Sequence, residues 1–188
     1  VGPVAQATSQ AAFEPVNDGM GQPLNGYDKV SSAALAIVPG PDGTVTFLRQ
    51  TSGPYGGFWL LPGGRIEPGE SVVETARRET LEESGCEVGQ LTLVRVYEMR
   101  GSWAKGGYHI IMFAFLSDRV AVVPEGFRGD NVGALVQVAP QELRPHPTVM
   151  RILNDAGVAS YPDEEIEAGL ARDGIAMLSL STGSPVAV

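Results

Sequence analysis

Four glutamates close together in sequence, Glu70, Glu79, Glu82 and Glu83, are the side chains best placed to do chemistry. A helix advances about 100° per residue, so Glu82 and Glu83, three and four positions after Glu79, share one face with it. Like charges at those spacings repel. Three carboxylates gathered on one turn therefore call for a cation, and hard oxygen donors are the ligand type that Mg²⁺ prefers. Mn²⁺ is the alternative ion for such a set. Arg78 stands beside this face, with Glu70 eight residues before it. An ion pair between them would tie the preceding loop down onto the helix, a role that orients ligands rather than reacts. An acidic helix taken alone reads more readily as a solvated face; here the full spacing outweighs that reading.

The helix that must carry these carboxylates has both ends written in the sequence. Ser71 is the expected N-cap, with Glu74 three residues on to complete a capping box. Gly85 follows Ser84 where a left-handed residue closes a helix. Val73, Ala76 and Thr80 share the other side and are expected against a sheet. Before the helix, residues 31–38 and 44–50 read as strands. The run Pro39-Gly40-Pro41-Asp42-Gly43 between them predicts a hairpin. A Gly-rich loop over 52–57 and a short apolar run over 58–61 lead to Pro62-Gly63-Gly64. After the helix, 91–99 and 108–116 read as strands separated by a loop over 100–107. Residues 135–138 form a short strand, and 147–156 and 163–172 form helices. This order predicts an α+β fold, a mixed sheet flanked by helices. The expected layout is an N-terminal arm over 1–28, one domain over 29–158 and a C-terminal extension over 159–188.

Length and charge narrow the partners. A chain of 188 residues suffices for one domain with its own core. The net charge of −9 disfavours long nucleic acid, whose binding depends on neutralising phosphates with Lys and Arg. It leaves small phosphorylated ligands open, because a metal ion can supply positive charge locally. The single Cys86 excludes an internal disulfide, and with only His109 and His146, far apart, a zinc cage is not expected. No apolar run approaches the roughly 18 residues of a membrane span, so no membrane partner is expected. Val1 to Gly26 lacks the basic leader and apolar stretch of a signal peptide, which makes the cytoplasm the expected compartment.

Read as a spacing pattern, Gly64, five residues, Glu70, seven residues, Arg78-Glu79, two residues, Glu82-Glu83, one residue, Gly85 resembles the Nudix box. The approach to it, Gly57-Phe58-Trp59-Leu60-Leu61-Pro62-Gly63-Gly64, is similar to that family's as well, and the resemblance extends over about residues 29–157. Thr80 and Cys86 depart from it, standing where the family has bulky aliphatics; neither is a ligand position. The resemblance implies a Nudix-type α/β/α sandwich with a mixed β-sheet. It implies Mg²⁺-dependent hydrolysis of a nucleoside diphosphate linked to a group X, giving a nucleoside monophosphate and phospho-X. Glu79 and Glu83 would then be the main metal ligands and Glu82 a further ligand or a base. The Gly63 carbonyl would add a ligand, and Arg78 and Glu70 would support the catalytic set. A further acidic ligand from a later loop falls on Asp130, with Glu125 second.

The substrate contacts are weighed against plainer readings. Arg49 has the fork that grips phosphate, against an ordinary surface Arg on an edge strand. Trp103 and Lys105 would form a lid over the substrate, against a plain exposed loop. Trp59 reads as core, and both histidines as structural. The family's markers for ADP-ribose and for dinucleoside polyphosphates are absent: there is no Pro between Cys86 and Val123, and Trp103 rather than Tyr stands seventeen positions after Cys86. A nucleoside triphosphate or a nucleotide-sugar is left as the small phosphorylated, nucleotide-like substrate. A homodimer is expected if a leader strand is exchanged between subunits. Two other readings compete: a non-catalytic Nudix-fold module that senses a nucleotide, and an acidic interaction protein. The complete carboxylate set argues against both.

Overall fold

The computed structural model describes residues 30–103 and 106–180. The expected arm, Lys105 and residues 181–188 of the expected extension lie outside them. Eight strands and three helices are found among the described residues. The strands are β1 (Val30–Ile37), β2 (Val45–Gln50), β3 (Trp59–Leu60), β4 (Gly63–Arg65), β5 (Leu91–Trp103), β6 (Gly106–Ser117), β7 (Val132–Val138) and β8 (Ala176–Leu180). The helices are α1 (Val72–Ser84), α2 (Pro147–Asp155) and α3 (Asp163–Arg172). The larger sheet runs β4-β1-β6-β5-β8 and the smaller β3-β2-β7. Only the β1–β6 pairing is parallel, so the larger sheet is mixed, as the sequence predicts.

Strand β1 shows how the layers are set. Successive side chains of a strand point to opposite faces. Leu35 and Ile37 enter the main core with Phe47 of β2, Tyr97 of β5, Leu153 of α2 and Ile166 of α3. Ala34, between them, faces the other way and packs with Ala76 of α1 and Phe115 of β6. Alanine there brings α1 close to the sheet, which holds the helix and its carboxylate face firmly. Among the described residues, no helix is long and apolar enough to cross a membrane.

Three sequence expectations are corrected. The turn after β1 forms, with Gly40 N–H donating to Thr44 O at 2.8 Å and Asp42 at φ 55. Yet β1 and β2 do not make a hairpin: after a single bridge, Pro39 to Val45, they enter different sheets. Turn chemistry dictates that the chain reverses; the long-range partners of two buried strands decide where each one pairs. Within the loop expected over 100–107, residues 100–103 and 106–107 are strand, since β5 continues to Trp103 and β6 begins at Gly106, with Gly101 opposite Tyr108. The short strand expected at 135–138 begins at Val132. Beyond residue 158, the helix expected over 163–172 is α3, packed into the core through Ile166 and Leu170. After it, β8 pairs antiparallel with β5, Met177 opposite Met99.

Candidate active site

Helix α1 carries the site, and its ends are capped as its sequence requires. Glu74 N–H donates to Ser71 Oγ at 3.2 Å, and Ser71 N–H donates to the Glu74 carboxylate at 2.8 Å. Gly85 closes the helix at φ 68, its N–H donating to Leu81 O at 2.9 Å. Thr75, Ala76 and Thr80 are fully buried, while Val73 is half-buried. The unusual Thr80 is accommodated because its hydroxyl donates to Ala76 O at 2.7 Å, a back-bond that satisfies a buried polar group. Cys86 is buried as a small apolar side chain.

Arg78 is the hub of the acidic face. Its Nε donates to Glu70 Oε1 at 2.6 Å and its Nη2 to Glu70 Oε2 at 3.0 Å, so the ion pair expected between them forms and is bidentate. Its Nη1 also reaches Glu79 Oε1 at 2.9 Å and Glu82 Oε2 at 3.0 Å, and its Nη2 donates to Arg65 O at 3.2 Å. Glu70 further accepts from Thr75 Oγ1 at 2.8 Å and Glu67 N–H at 3.2 Å. The Arg78 hydrogen bonds, more than these two, hold the Glu70 carboxyl at about 2. One guanidinium thus joins the loop before the helix to two of its three carboxylates.

Glu83 is treated differently. It is only 8% exposed, and its carboxylate accepts one hydrogen bond, from Gly63 N–H at 2.9 Å. Among the described residues, no ion pair reaches it. Burial, and then the neighbouring charges of Glu79 and Glu82, push its pKa up to about 7 despite the Gly63 bond. Glu79 is raised too, chiefly by burial, with Arg78 opposing. Gly64 completes the enclosure: a Cβ there would lie 2.3 Å from the Glu79 carboxylate, so only glycine lets that carboxylate rest on the backbone.

The later loop meets the same end of α1. A Cβ on Gly129 would lie 2.5 Å from Glu83 O, and one on Gly85 would lie 2.7 Å from the Phe127 ring. The chain at Gly129 therefore lies directly on the main chain of the helix at Glu83, and the next residue, Asp130, is exposed. Glu125 is exposed farther along the same loop. Gly63 is brought in through its N–H. Arg49 is not gathered with the carboxylates; it is exposed, and its Nε donates to Gly57 O at 2.7 Å. The Trp103 backbone pairs with Gly106 at the end of the β5–β6 hairpin, and its side chain, like Lys105, lies outside the described residues. Trp59 packs partly against the main core. His146 is buried, with Nδ1 accepting the Thr148 N–H at 3.3 Å, as the cap of α2.

The sequence reading missed a cleft between the two sheets. Leu35, Leu61, Met99, Met112 and Ile152 make it largely apolar, and Gly63, the hydrogen-bond partner of Glu83, is also in its lining. Gln50 and Tyr55 add polar atoms to its lining. The available signal was a lone aromatic in the Gly-rich loop at 52–57. Among the described residues, no group of three or more His, Cys, Asp or Glu side chains stands ready as a metal cage. Arg78 stands between Glu79 and Glu82 instead. The donor chemistry nevertheless fits a hard divalent ion: three carboxylates on one face, one of them buried without a cation.

Comparison with known proteins gives consistent matches. The NUDIX domain family model matches residues 29–153. The 8-oxo-dGDP phosphatase NUDT18 of Mus musculus is 34% identical over 95 residues, 50% of this chain and 27% of that protein. The asymmetrical bis(5'-nucleosyl)-tetraphosphatase of Sus scrofa is 42% identical over 61 residues, 31% of this chain and 40% of that protein. The chain thus spans between 15% and 40% of the length of these and the other curated relatives it matches. Among solved structures, the MutT NUDIX hydrolase from Burkholderia pseudomallei aligns with a TM-score of 0.56 at 24% identity, covering 68% of this chain and 98% of that one. That likeness establishes the shared fold.

Proposed function

The chain belongs to the Nudix hydrolase family, and from that premise we propose that it hydrolyses a diphosphate bond in a nucleotide-like substrate, releasing a nucleoside monophosphate and phospho-X with Mg²⁺ as the ion. The observation that carries this reading is Glu83, a buried carboxylate without a cationic partner, hydrogen-bonded to the Gly63 N–H, a residue that also lines an apolar cleft. Burying an ionised carboxylate is costly unless it is paired or coordinates a metal. Such a group persists where function requires it.

Glu79 and Glu83 would hold the ion, with Glu82 as a further ligand or as the proton acceptor. Asp130, one residue after Gly129, would contribute a further carboxylate, and the Gly63 carbonyl would add an oxygen. Bound there, a divalent ion supplies the charge neutralisation that phosphoryl transfer needs. Arg78 and Glu70 position this set: their bidentate pair fixes the loop and steadies the Glu79 and Glu82 side chains. The Gly63 N–H holds Glu83 in place. The cleft takes the base, where apolar walls exclude water and Gln50 offers both a donor and an acceptor. The relatives' named substrates, 8-oxo-dGDP and a bis-nucleosyl tetraphosphate, share a nucleoside joined to a chain of phosphates. The same class is proposed here, with nucleoside triphosphates and nucleotide-sugars as its other members.

The test is incubation with nucleoside di- and triphosphates, nucleotide-sugars, ADP-ribose and dinucleoside polyphosphates, with and without Mg²⁺, with products separated by chromatography. Metal-dependent release of a nucleoside monophosphate is expected. Nucleotide binding without turnover of any of them would replace the hydrolase with a sensing module.

A further inference from the structure

The loop joining β2 to β3, residues 51–58, is fastened at its ends. Thr51 N–H donates to Asn131 O at 3.1 Å, and Gly57 N–H donates to Gln50 O at 2.8 Å. Gly53 and Gly57 stand at φ 88 and φ 89, a region open to glycine and strained for other residues. Between them the described backbone bonds are internal: Gly56 N–H to Gly53 O at 3.2 Å, and Phe58 N–H to Tyr55 O at 3.1 Å.

Tyr55 ties the tip of this loop to the rest of the molecule. Its ring meets His146 edge-on at 4.9 Å and Tyr108 at 6.0 Å. Its hydroxyl lies 3.0 Å from the Tyr108 hydroxyl. Burial raises the Tyr55 phenol far above its ordinary range, so the Tyr55 hydroxyl keeps its proton. Tyr108 reaches this position because Gly101 is its cross-strand partner: a Cβ on Gly101 would fall 2.5 Å from the Tyr108 hydroxyl. Tyr55 thereby joins Met99 and Met112 in the lining of the cleft.

We propose that Tyr55 is a specificity-determining wall that closes on the base of the substrate in the cleft it lines with Met99 and Met112, and that Tyr108, laid over Gly101, is the positioning residue that holds it closed. The proposal rests on the cleft being the base site of the proposed hydrolase. An aromatic ring with two thioethers suits a flat, polarisable ring system. A sugar would leave most of its hydroxyls unmatched against these apolar walls. One hydrogen bond is a modest tether, and glycines on either side of Tyr55 give the loop pivots. The wall can therefore yield to admit a base and then return.

The test uses AMP and ribose 5-phosphate as binding probes, hydrogen exchange of residues 52–56, and kinetics on whichever nucleotide is turned over. In Tyr108→Phe, exchange at 52–56 should quicken and the AMP Kd rise by about fivefold, the worth of one hydrogen bond. KM should rise with it while kcat stays within about twofold, and ribose 5-phosphate binding should not move. Gly101→Val should have the same effect with both hydroxyls still present. Tyr55→Phe should bind AMP better than Tyr55→Ala, because it keeps the ring. Equal effects on AMP and ribose 5-phosphate, or a fall in kcat at constant KM, would overturn the wall. If AMP binding follows the expected pattern and no substrate is hydrolysed, the wall stands and the hydrolase reading falls.

Discussion

Helices α1 and α2 both present buried polar side chains, and the two are satisfied to very different degrees. His146, 2% exposed at the start of α2, has Nδ1 placed 2.8 Å from Thr148 Oγ1 and accepting the Thr148 N–H. Burial, opposed by Asp173, lowers its pKa to about 4, so it is neutral at physiological pH. Later in α2, Asn154 pairs through both ends of its amide with the backbone of Tyr161, at 2.7 and 2.8 Å. Asp155 accepts from the Tyr97 hydroxyl at 2.7 Å. On α1, Glu83 is similarly buried but has one backbone donor and a pKa pushed up to about 7. On the α2 side His146, Asn154 and Asp155 are matched, although Arg151 Nε of the same helix is buried without a hydrogen-bond partner. The α1 side keeps a buried carboxylate without a cation, and it is there that the proposed function puts the working face.

The largest expected effect falls on the matched side. Leu153 of α2 is fully buried in the main core, and Leu153→Ala should lower unfolding free energy by about 2–5 kcal/mol, read by urea titration. Turnover per folded molecule should be little changed. A comparable loss of turnover would show that the α2 side is coupled to the site, and the contrast would fail.

On the unmatched side the signs should part company. Glu83→Gln keeps the shape and can still accept from Gly63 N–H, so the fold should persist. Turnover should fall by about a hundredfold or more, the scale of damage at metal sites. In chelator at pH 8 the same variant should melt higher than the native protein, because a buried charge has been removed. Added Mg²⁺ should stabilise the native protein and not the variant. A variant that loses stability in chelator would mean that Glu83 is well satisfied without an ion.

The pH dependence of the metal-free protein follows from the same two groups. His146 has its pKa lowered on folding, so the unfolded chain binds the proton more readily, and stability is lost as pH falls from about 6.5 towards 4. Glu83 has its pKa raised, so its contribution is full below about 4.5 and is lost as pH rises towards 7. Between those limits the two slopes oppose each other, and their combined contribution to the native protein should be nearly flat. Glu83→Gln should uncover the His146 slope, with melting temperature falling steadily on acidification. His146→Asn should uncover the opposite one.

Much of α1 was legible from sequence because its determinants are local. The capping box, the closing Gly85 and the Glu70–Arg78 pair span a few turns of one helix, and α3 was bounded by its own residues. The cleft was not legible, because Gln50, Tyr55, Met99 and Met112 meet only when two sheets pack. The β1–β2 hairpin was read from a true turn, yet parallel pairing of β1 with β6 depends on residues far along the chain. Strand β8 went unseen because Ala-Met-Leu-Ser-Leu is short and gains its meaning only beside β5. Gly101 and Gly107 made 100–107 look like a loop. In the hairpin, Gly101 instead makes room for Tyr108.

The smallest expected effect compares the two helix caps. Ser71 caps α1 from an exposed position, and His146 caps α2 from a buried one. Ser71→Ala removes the acceptor of Glu74 N–H and should cost about 1 kcal/mol of stability. It leaves the Glu74 carboxylate able to accept Ser71 N–H, so half of the capping box remains. Because Glu70 is held independently by Arg78, Thr75 and Glu67 N–H, turnover should stay within a few-fold of native, well short of the loss in Glu83→Gln. Paired urea and kinetic measurements on Ser71→Ala read both quantities. A large loss of turnover with only this small loss of stability would mean that the cap, rather than Arg78, holds Glu70 and its loop against the carboxylate face.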